Sequence, residues 1–294
     1  MVRIIAILIG SGLALVLLVS FVTGATIYFT EERETSLEYK YHEEPKEIAL
    51  ASDGPFGQFD ERQLQRGFQV YKEVCAACHG LEHVAFRHLG DLGFVEAEVK
   101  AIAEQWPIQA TDIDPETGET IQRPPLPTDH FPDPYANEVA ARAANNNTVP
   151  PDLSLIVKAR ENGSDYLYSL LTGYTQPPAE LVAEKNPAPT LHYNPYYHSL
   201  FIAMPPPLLA EGQVSYADGT RATISQMARD VTAFLTWAAE PNLEARRATG
   251  IAVVIYLTVA TLLAYLAYRN IWGKRKKRRR DATDPEPPSA AERA

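Results

Sequence analysis

Two uncharged runs constrain this chain before any motif is considered. One extends from Ile4 to Thr30 and begins IIAILIGSGLALVLLVSFV; the other extends from Ala248 to Tyr268 and reads ATGIAVVIYLTVATLLAYLAY. A bilayer core is crossed by about 20 apolar residues in a helix. Each run is long enough to span. The second is followed by Arg269 and then by KRKKRRR from Lys274 to Arg280. By the positive-inside rule that block stays on the cytoplasmic side, with Tyr265, Tyr268 and Trp272 as interface anchors. The alternative for this run is a buried core helix of a soluble protein.

The first run has two readings. Arg3 ahead of an apolar stretch is also how a signal peptide begins, but a signal core holds roughly 7–15 apolar residues and this run is longer. Thr23-Gly24-Ala25 is a weak cleavage site, and Glu31, Glu32, Arg33 and Glu34 follow it. A retained anchor is the expectation and a cleaved signal the alternative. Either sends the middle of the chain across the membrane. The expected organisation is an N-terminal hydrophobic segment over residues 1–30, an extracytoplasmic domain over 31–245, a transmembrane helix with its flanks over 246–272 and a basic, then polar, cytoplasmic tail over 273–294.

Residues 31–245 carry 33 Asp and Glu against 15 Lys and Arg, a net charge of −18, although the whole chain is only −10. An acidic body repels phosphate backbones, which excludes nucleic acid as a partner. It attracts a basic protein and accelerates encounter. Most single carboxylates need do no more than keep the domain soluble. The densest acidic stretch, Asp112 to Glu138, includes Asp114, Glu116, Glu119, Asp129 and Asp133 and is rich in proline, so it reads as an exposed loop.

The only two cysteines lie three apart in Cys75-Ala-Ala-Cys78-His79. A redox dithiol would use the two thiols without the following histidine. A structural zinc site needs about four ligands, and no second cysteine pair exists. The third chemistry is covalent haem attachment, with both thiols bonded to the porphyrin vinyls and His79 on the iron. It explains every residue of the motif. An oxidising compartment across the membrane suits it.

DERQLQRGFQVYKEVCAACH reads as a helix leading into that turn. Asp60 is its cap with Gln63 closing a capping box. Leu64, Gly67, Phe68, Tyr71 and Val74 share a face, and Gly67 admits another helix at close range. TISQMARDVTAFLTWAAE is a second helix, with Thr223 and Gln226 as its box and Ile224, Met227, Val231, Phe234, Leu235 and Ala238 as its apolar face. These two are expected to pack together. SDYLYSLLTG is a short helix stopped by Gly173. Few strand-like alternations occur, so the domain is expected to be mostly helical with long Pro- and Asn-rich loops.

A haem iron with His79 on one side takes His, Met or a comparable donor on the other, or stays open. Met1 is remote and Met227 fits core packing. Met204 sits in FIAMPPPLL, where three prolines deny the backbone a helix and make a stiff loop. It is the favoured sixth ligand, with His198 and His192 as competitors. Arg142, in ARAANNNTVPPDLS, is a candidate for a bidentate contact to a haem propionate; its alternative is a surface salt bridge. Asn145, Asn146 and Asn147 are candidates for the loop around the porphyrin or for simple turns.

These segments together resemble the cytochrome c1 family, the haem c subunit of the quinol–cytochrome c oxidoreductase (bc1) complex. The resemblance starts near Ala51-Ser52-Asp53-Gly54-Pro55-Phe56-Gly57. It continues through LQRGFQVYKEVCAACH, ARAANNNTVPPDLSLIVKAR, DYLYSLLTGY, NPYYHSLFIAMPPPL and DGTRATISQMARDVTAFLTWAAEP into the last apolar run, about three quarters of the chain. It implies an expanded class I cytochrome c-like domain, mostly α, anchored by a C-terminal transmembrane helix. It implies Cys75 and Cys78 as thioether sites, His79 and Met204 as iron ligands, and Arg142 near a propionate. The implied role is to accept one electron from a Rieske iron–sulfur protein and pass it to a soluble or membrane-bound cytochrome c, beside cytochrome b. The expected location is a bacterial inner membrane, with the haem domain in the periplasm. One departure is that family members commonly have Asn-Gly-Ala before Pro-Pro-Asp, where this chain has Asn146-Asn147-Thr148-Val149; Asn147 still tolerates a left-handed backbone. Two other readings are an enzyme whose Met204 is displaced to open the iron to a small oxidant, and a structural membrane subunit with a vestigial haem.

Overall fold

The computed structural model describes residues 2–30 and 36–281, with side chains as far as Arg275. The acidic cluster at 31–34, the rest of the basic block and the end of the tail lie outside the described side chains. The chain is mostly helical. Helix α1 (Val2–Thr30) and helix α9 (Leu243–Asp281) are the two apolar runs, and neither buries its apolar stretch within the chain. Between them lie α2 (Leu37–Tyr41), α3 (Glu61–Val70), α4 (Glu96–Glu104), α5 (Glu138–Ala144), α6 (Gly163–Thr172), α7 (Ala179–Lys185) and α8 (Ile224–Ala239). A 3-10 helix (Phe86–Leu92) and two antiparallel ribbons, β1 (Ala110–Ile113) with β2 (Thr120–Arg123) and β3 (His192–Tyr193) with β4 (Phe201–Ile202), add to these.

The core forms where α3 crosses α8, as the sequence leads one to expect. Leu64, Gly67, Phe68 and Val70 face inward from α3, and Met227, Val231, Phe234 and Leu235 from α8. An aromatic cluster extends it: Phe86 stacks obliquely on Phe131 at 4.2 Å, and Phe68 and Tyr71 each lie 5.7 Å from Phe234. Both helix caps form. The Asp60 carboxylate accepts from the Arg62 and Gln63 amides, and the Thr223 hydroxyl accepts from the Gln226 amide at 3.0 Å.

The capping boxes do not close. The Gln63 and Gln226 amides both donate instead to the Asp230 carboxylate, at 3.2 and 2.8 Å, and Arg66 Nε donates to it at 3.0 Å. Asp230 is fully buried. A buried carboxylate needs paired donors far more than an exposed helix end does.

Three further local expectations change. First, α3 does not run regularly into the cysteines: Tyr71–Cys75 widens into a π-turn, in which the Ala76 amide reaches back to the Tyr71 carbonyl at 2.8 Å. Second, Gly173 does end α6, as expected, but without the left-handed backbone usual at such a stop (φ −96°). Its role is space, because a β-carbon there would lie 2.4 Å from Tyr196 Cδ2. Third, the acidic stretch is not simply a loop. Residues 110–123 fold into the β1–β2 hairpin, and Arg123 clamps Asp112 and Asp129, each at 2.6 Å.

The first turn of α9 is fastened to the domain. Glu244 accepts from the Phe59 amide at 2.7 Å, and Arg247 donates to the carbonyls of Ser52 (2.6 Å) and Gly57 (3.2 Å). Glu240, just before the helix, pairs with Lys158 and Arg246. The apolar rod is therefore held rigidly against the folded body. At its far end Arg275 lies over the Trp272 ring, 5.0 Å from its centre.

Candidate functional site

Cys75 closes the π-turn, and Cys78 and His79 follow in a tight turn whose amides both return to the Cys75 carbonyl, at 3.0 and 2.9 Å. A second segment, Pro151-Asp152-Leu153-Ser154, runs along this turn as a strap. The Leu153 amide donates to the Gly80 carbonyl (3.0 Å), Asp152 accepts from the Glu82 amide (2.8 Å), and Ser154 Oγ accepts from the His83 amide (3.0 Å). From the core side the Tyr71 hydroxyl donates to the His79 carbonyl at 3.1 Å. The backbone of the motif is thus pinned on both sides. Gly80 sits between two carboxylates, since a β-carbon there would meet Asp133 Oδ1 at 2.4 Å and Asp152 Oδ2 of the strap at 3.2 Å.

The strap also sets the histidine. His79 Nδ1 lies 2.8 Å from the Pro151 carbonyl oxygen. That oxygen can only accept, so Nδ1 holds the proton. Burial lowers the pKa of the ring and keeps it neutral. The Nε2 lone pair is then available to a metal in a fixed ring orientation, which is how ligating histidines are commonly held. Sequence reasoning identified His79 but not its carbonyl partner; the paired prolines of VPPDLS were the available signal.

Both thiols are free. Burial, and then the neighbouring Cys78, push the Cys75 thiol up to about 12. A redox dithiol or a zinc site works through a thiolate, which this environment opposes. Among the described residues, no group of three or more His, Cys, Asp and Glu side chains could hold a metal ion. A buried Cys75 thiol that resists ionisation, a second free thiol at Cys78 and an oriented imidazole suit covalent haem attachment better than either alternative.

Met227 is fully buried between α3 and α8. Met204 lies just beyond β4, half-buried, at the head of the proline loop. Its carbonyl accepts from the Tyr174 hydroxyl at 3.1 Å, which ties the loop to the end of α6. His192 is half-buried in β3, and His198 is exposed beside the Tyr197 ring.

Arg142 is exposed on α5, 3.6 Å from Glu138, and it reaches the Asn147 carbonyl at 3.4 Å. Asn146 and Asn147 both adopt left-handed backbone (φ 51° and 64°), in keeping with a glycine-tolerant turn. A second arginine, Arg160, borders a cleft of about 390 Å³ shared with Tyr166, Tyr197 and His198. It forms no ion pair among the described residues. Burial raises the Tyr166 phenol, with Arg160 opposing that shift, and Tyr166 in turn adds to the raised Tyr174 phenol. Arg160 and Tyr166 thus share one cleft, while Tyr174 is the residue that reaches Met204. A lone Arg in KAR carried no sequence signal for this.

A family model described as the cytochrome C1 family matches residues 50–275. The chain belongs to the cytochrome c1 family. Cytochrome c1 of Rhodospirillum rubrum is 44% identical over 231 residues, which is 74% of this chain and 84% of the relative. The mitochondrial cytochrome c1 haem protein of Saccharomyces cerevisiae is 44% identical over 258 residues, covering 88% and 81%. A cytochrome b/c1 of Bradyrhizobium diazoefficiens is 42% identical over 240 residues, 74% of this chain but only 34% of the relative. Membership in the cytochrome c1 family brings with it a c-type haem, and the residues at the CAACH turn fit that group.

Proposed function

We propose that this cytochrome c1 carries single electrons within a quinol–cytochrome c reductase, accepting them from a Rieske iron–sulfur protein and delivering them to a cytochrome c. The observation that carries the site assignment is the His79 ring, oriented by the Pro151 carbonyl beside two free thiols. Cys75 and Cys78 would form the thioethers, and His79 and Met204 would ligate the iron. Arg142 would serve a propionate, with Arg160 as a second cation on the Met204 side. When bound, a c-type haem supplies a reversible one-electron Fe(III)/Fe(II) couple.

The protein's own contribution is to hold this site still. The strap and Tyr71 fix the backbone that carries His79, and Tyr174 fixes the carbonyl of Met204. With His79 and Met204 both holding the iron, no position would be left for a small substrate, and no general base or nucleophile would be required. Cytochrome b is the proposed membrane partner; the Bradyrhizobium cytochrome b/c1, of which this chain covers about a third, supports that pairing. The protein is membrane-associated through its apolar helices. The proposed setting is a bacterial inner membrane with the haem domain in the periplasm and the basic tail in the cytoplasm, in line with the charge rule.

The test uses the purified complex. Acid–acetone should leave the haem on the polypeptide, and carbon monoxide should leave the reduced spectrum unchanged. Reduced protein should transfer electrons to a basic cytochrome c. Extraction of all haem would refute covalent attachment, and a carbon monoxide shift would point to an open iron instead.

A further inference from the structure

An apolar groove opens on the first turns of α9. It is walled by Pro55 from the 53–57 loop and by Gly250, Ile251, Val254 and Ile255 from the helix, with Arg247 at its head. Next to Pro55, the Phe56 side chain is 82% exposed. The helix side of the groove is open at Gly250, where a β-carbon would have nothing within 4 Å.

The depth of the groove follows from the helix itself. The 21 uncharged residues from Ala248 to Tyr268 span about 31 Å at ~1.5 Å per residue. That matches a hydrocarbon core of about 30 Å. Arg247, the last charge before the run, then lies at the level of lipid phosphates. Gly250 to Ile255 lie in the first turns of acyl chain beneath it.

Arg247 has two of its donor positions unused. Nη1 is taken by the Ser52 and Gly57 carbonyls, while Nε and Nη2 have no partner among the described residues. Carbonyls accept hydrogen bonds but do not neutralise the charge. Among the described residues no carboxylate pairs with Arg247, although the neighbouring Arg246 is paired with Glu240. An unneutralised, positioned guanidinium suits a phosphate group.

We infer that this groove is a phospholipid seat, with the phosphate on Arg247 and one acyl chain along Gly250, Ile251 and Val254 against Pro55. The inference rests on α9 crossing the bilayer and is independent of the haem assignment. The seated lipid would fill the space between the helix and the 53–57 loop, and so seal the folded body onto the membrane surface where Phe56 projects.

The experiment counts phospholipid per polypeptide in the full-length complex, purified in mild detergent and washed to constant lipid content. Wild type is compared with Gly250→Leu, which fills the groove and favours helix; with Arg247→Gln; and with Ala252→Leu, which places the same leucine side chain outside the groove lining. Wild type and Ala252→Leu should retain one phospholipid more than Gly250→Leu. Delipidated wild type should regain that phospholipid from dioleoylphosphatidylglycerol, and Arg247→Gln should regain it less well. Equal retention in all four proteins overturns the assignment. So does loss of a partner subunit from Gly250→Leu with lipid unchanged, because the groove would then hold protein. Counting per polypeptide keeps the result separate from any failure of the haem reading.

Discussion

Gly67 lies directly beneath Asp230: a β-carbon at residue 67 would sit 2.1 Å from the Asp230 carbonyl oxygen and 2.7 Å from Phe234 Cβ. Backbone meets backbone here, so no side chain can move aside. This crossing brings α3 against α8, and the π-turn with Cys75 begins less than two turns farther on. The same crossing aligns Gln63, Arg66 and Gln226 on the buried Asp230 carboxylate.

Gly67→Ala should therefore force the helices apart. Overpacking of this kind costs about 1–3 kcal/mol, which lowers the melting temperature by about 2–4 °C per kcal/mol in a domain of this size. Gly90→Ala is the control, because a β-carbon there meets nothing within 4 Å. Thermal melts followed by circular dichroism should show a clear loss for the first and little change for the second. Equal melting temperatures would mean that the crossing relaxes freely.

The Arg123 clamp gives a pH signature. Its hydrogen bonds hold the Asp129 and Asp112 carboxyls below their ordinary range. Carboxylates with depressed folded-state values stabilise the fold above the unfolded value of about 3.9 and lose that contribution as pH falls through the folded values. Arg123→Gln should therefore lower the melting temperature modestly and evenly between pH 5 and 8. The gap to wild type should close below about pH 4. A gap that widened on acidification would contradict the clamp.

Much of this architecture was legible because it follows local rules. The caps at Asp60 and Thr223, the apolar faces of α3 and α8 and the need for a small residue at 67 are all periodic or positional signals. The capping-box glutamines deceived because a box is a local pattern, whereas the demand of a buried Asp230 is tertiary. The clamp by Arg123 and the neighbourhood of Arg160 were invisible for the same reason: both join residues through folding rather than spacing. CAACH announced itself, but the Pro151 carbonyl that orients His79 lies 72 residues away.

The sixth-ligand proposal separates the two internal methionines. Met204→Leu should remove the weak far-red thioether-to-iron band and lower the reduction potential, since Met ligation raises it. Met227→Leu should keep the band and cost less than about 1.5 kcal/mol, as a volume-conserving core change. The absorption spectrum and a redox titration decide this. An intact band in the Met204 variant would move the assignment to Met227, whereas a wild type that lacks the band would move it to His198 or His192.

The two arginines can be ranked by charge compensation. Arg142 faces Glu138 at 3.6 Å, whereas Arg160 has no carboxylate partner among the described residues. A positive charge near a haem favours its reduced form, because reduction removes one positive charge from the iron. Arg160→Gln should therefore lower the potential more than Arg142→Gln does, with the far-red band retained in both. If Arg142→Gln has the larger effect, Arg142 is the dominant propionate contact despite its carboxylate neighbour.

Docking of a basic acceptor should depend on the carboxylates that are not already spent. The domain carries a net charge of −18 over residues 31–245, yet Asp112 and Asp129 are both engaged by Arg123. Asp114, Glu116 and Glu119 at the hairpin tip form no ion pair among the described residues. Asp114 also builds the tip, since its Oδ1 accepts from the Glu116 amide at 2.8 Å. Asn at 114 keeps that acceptor, so Asp114→Asn, Glu116→Gln and Glu119→Gln together should remove charge without unfolding the turn. Exposed charges at an interface rim act mainly on association rate and its salt dependence. Stopped-flow oxidation of the reduced triple variant by a basic cytochrome c should be slower at low ionic strength and should vary less with salt, while its spectrum stays unchanged. Adding Asp112→Asn should change the rate little further, because it frees Arg123 from one of its two partners and weakens the hairpin rather than the rim. Identical salt slopes for wild type and the triple variant would take the hairpin out of the docking surface and leave the attraction to the remaining acids of the domain.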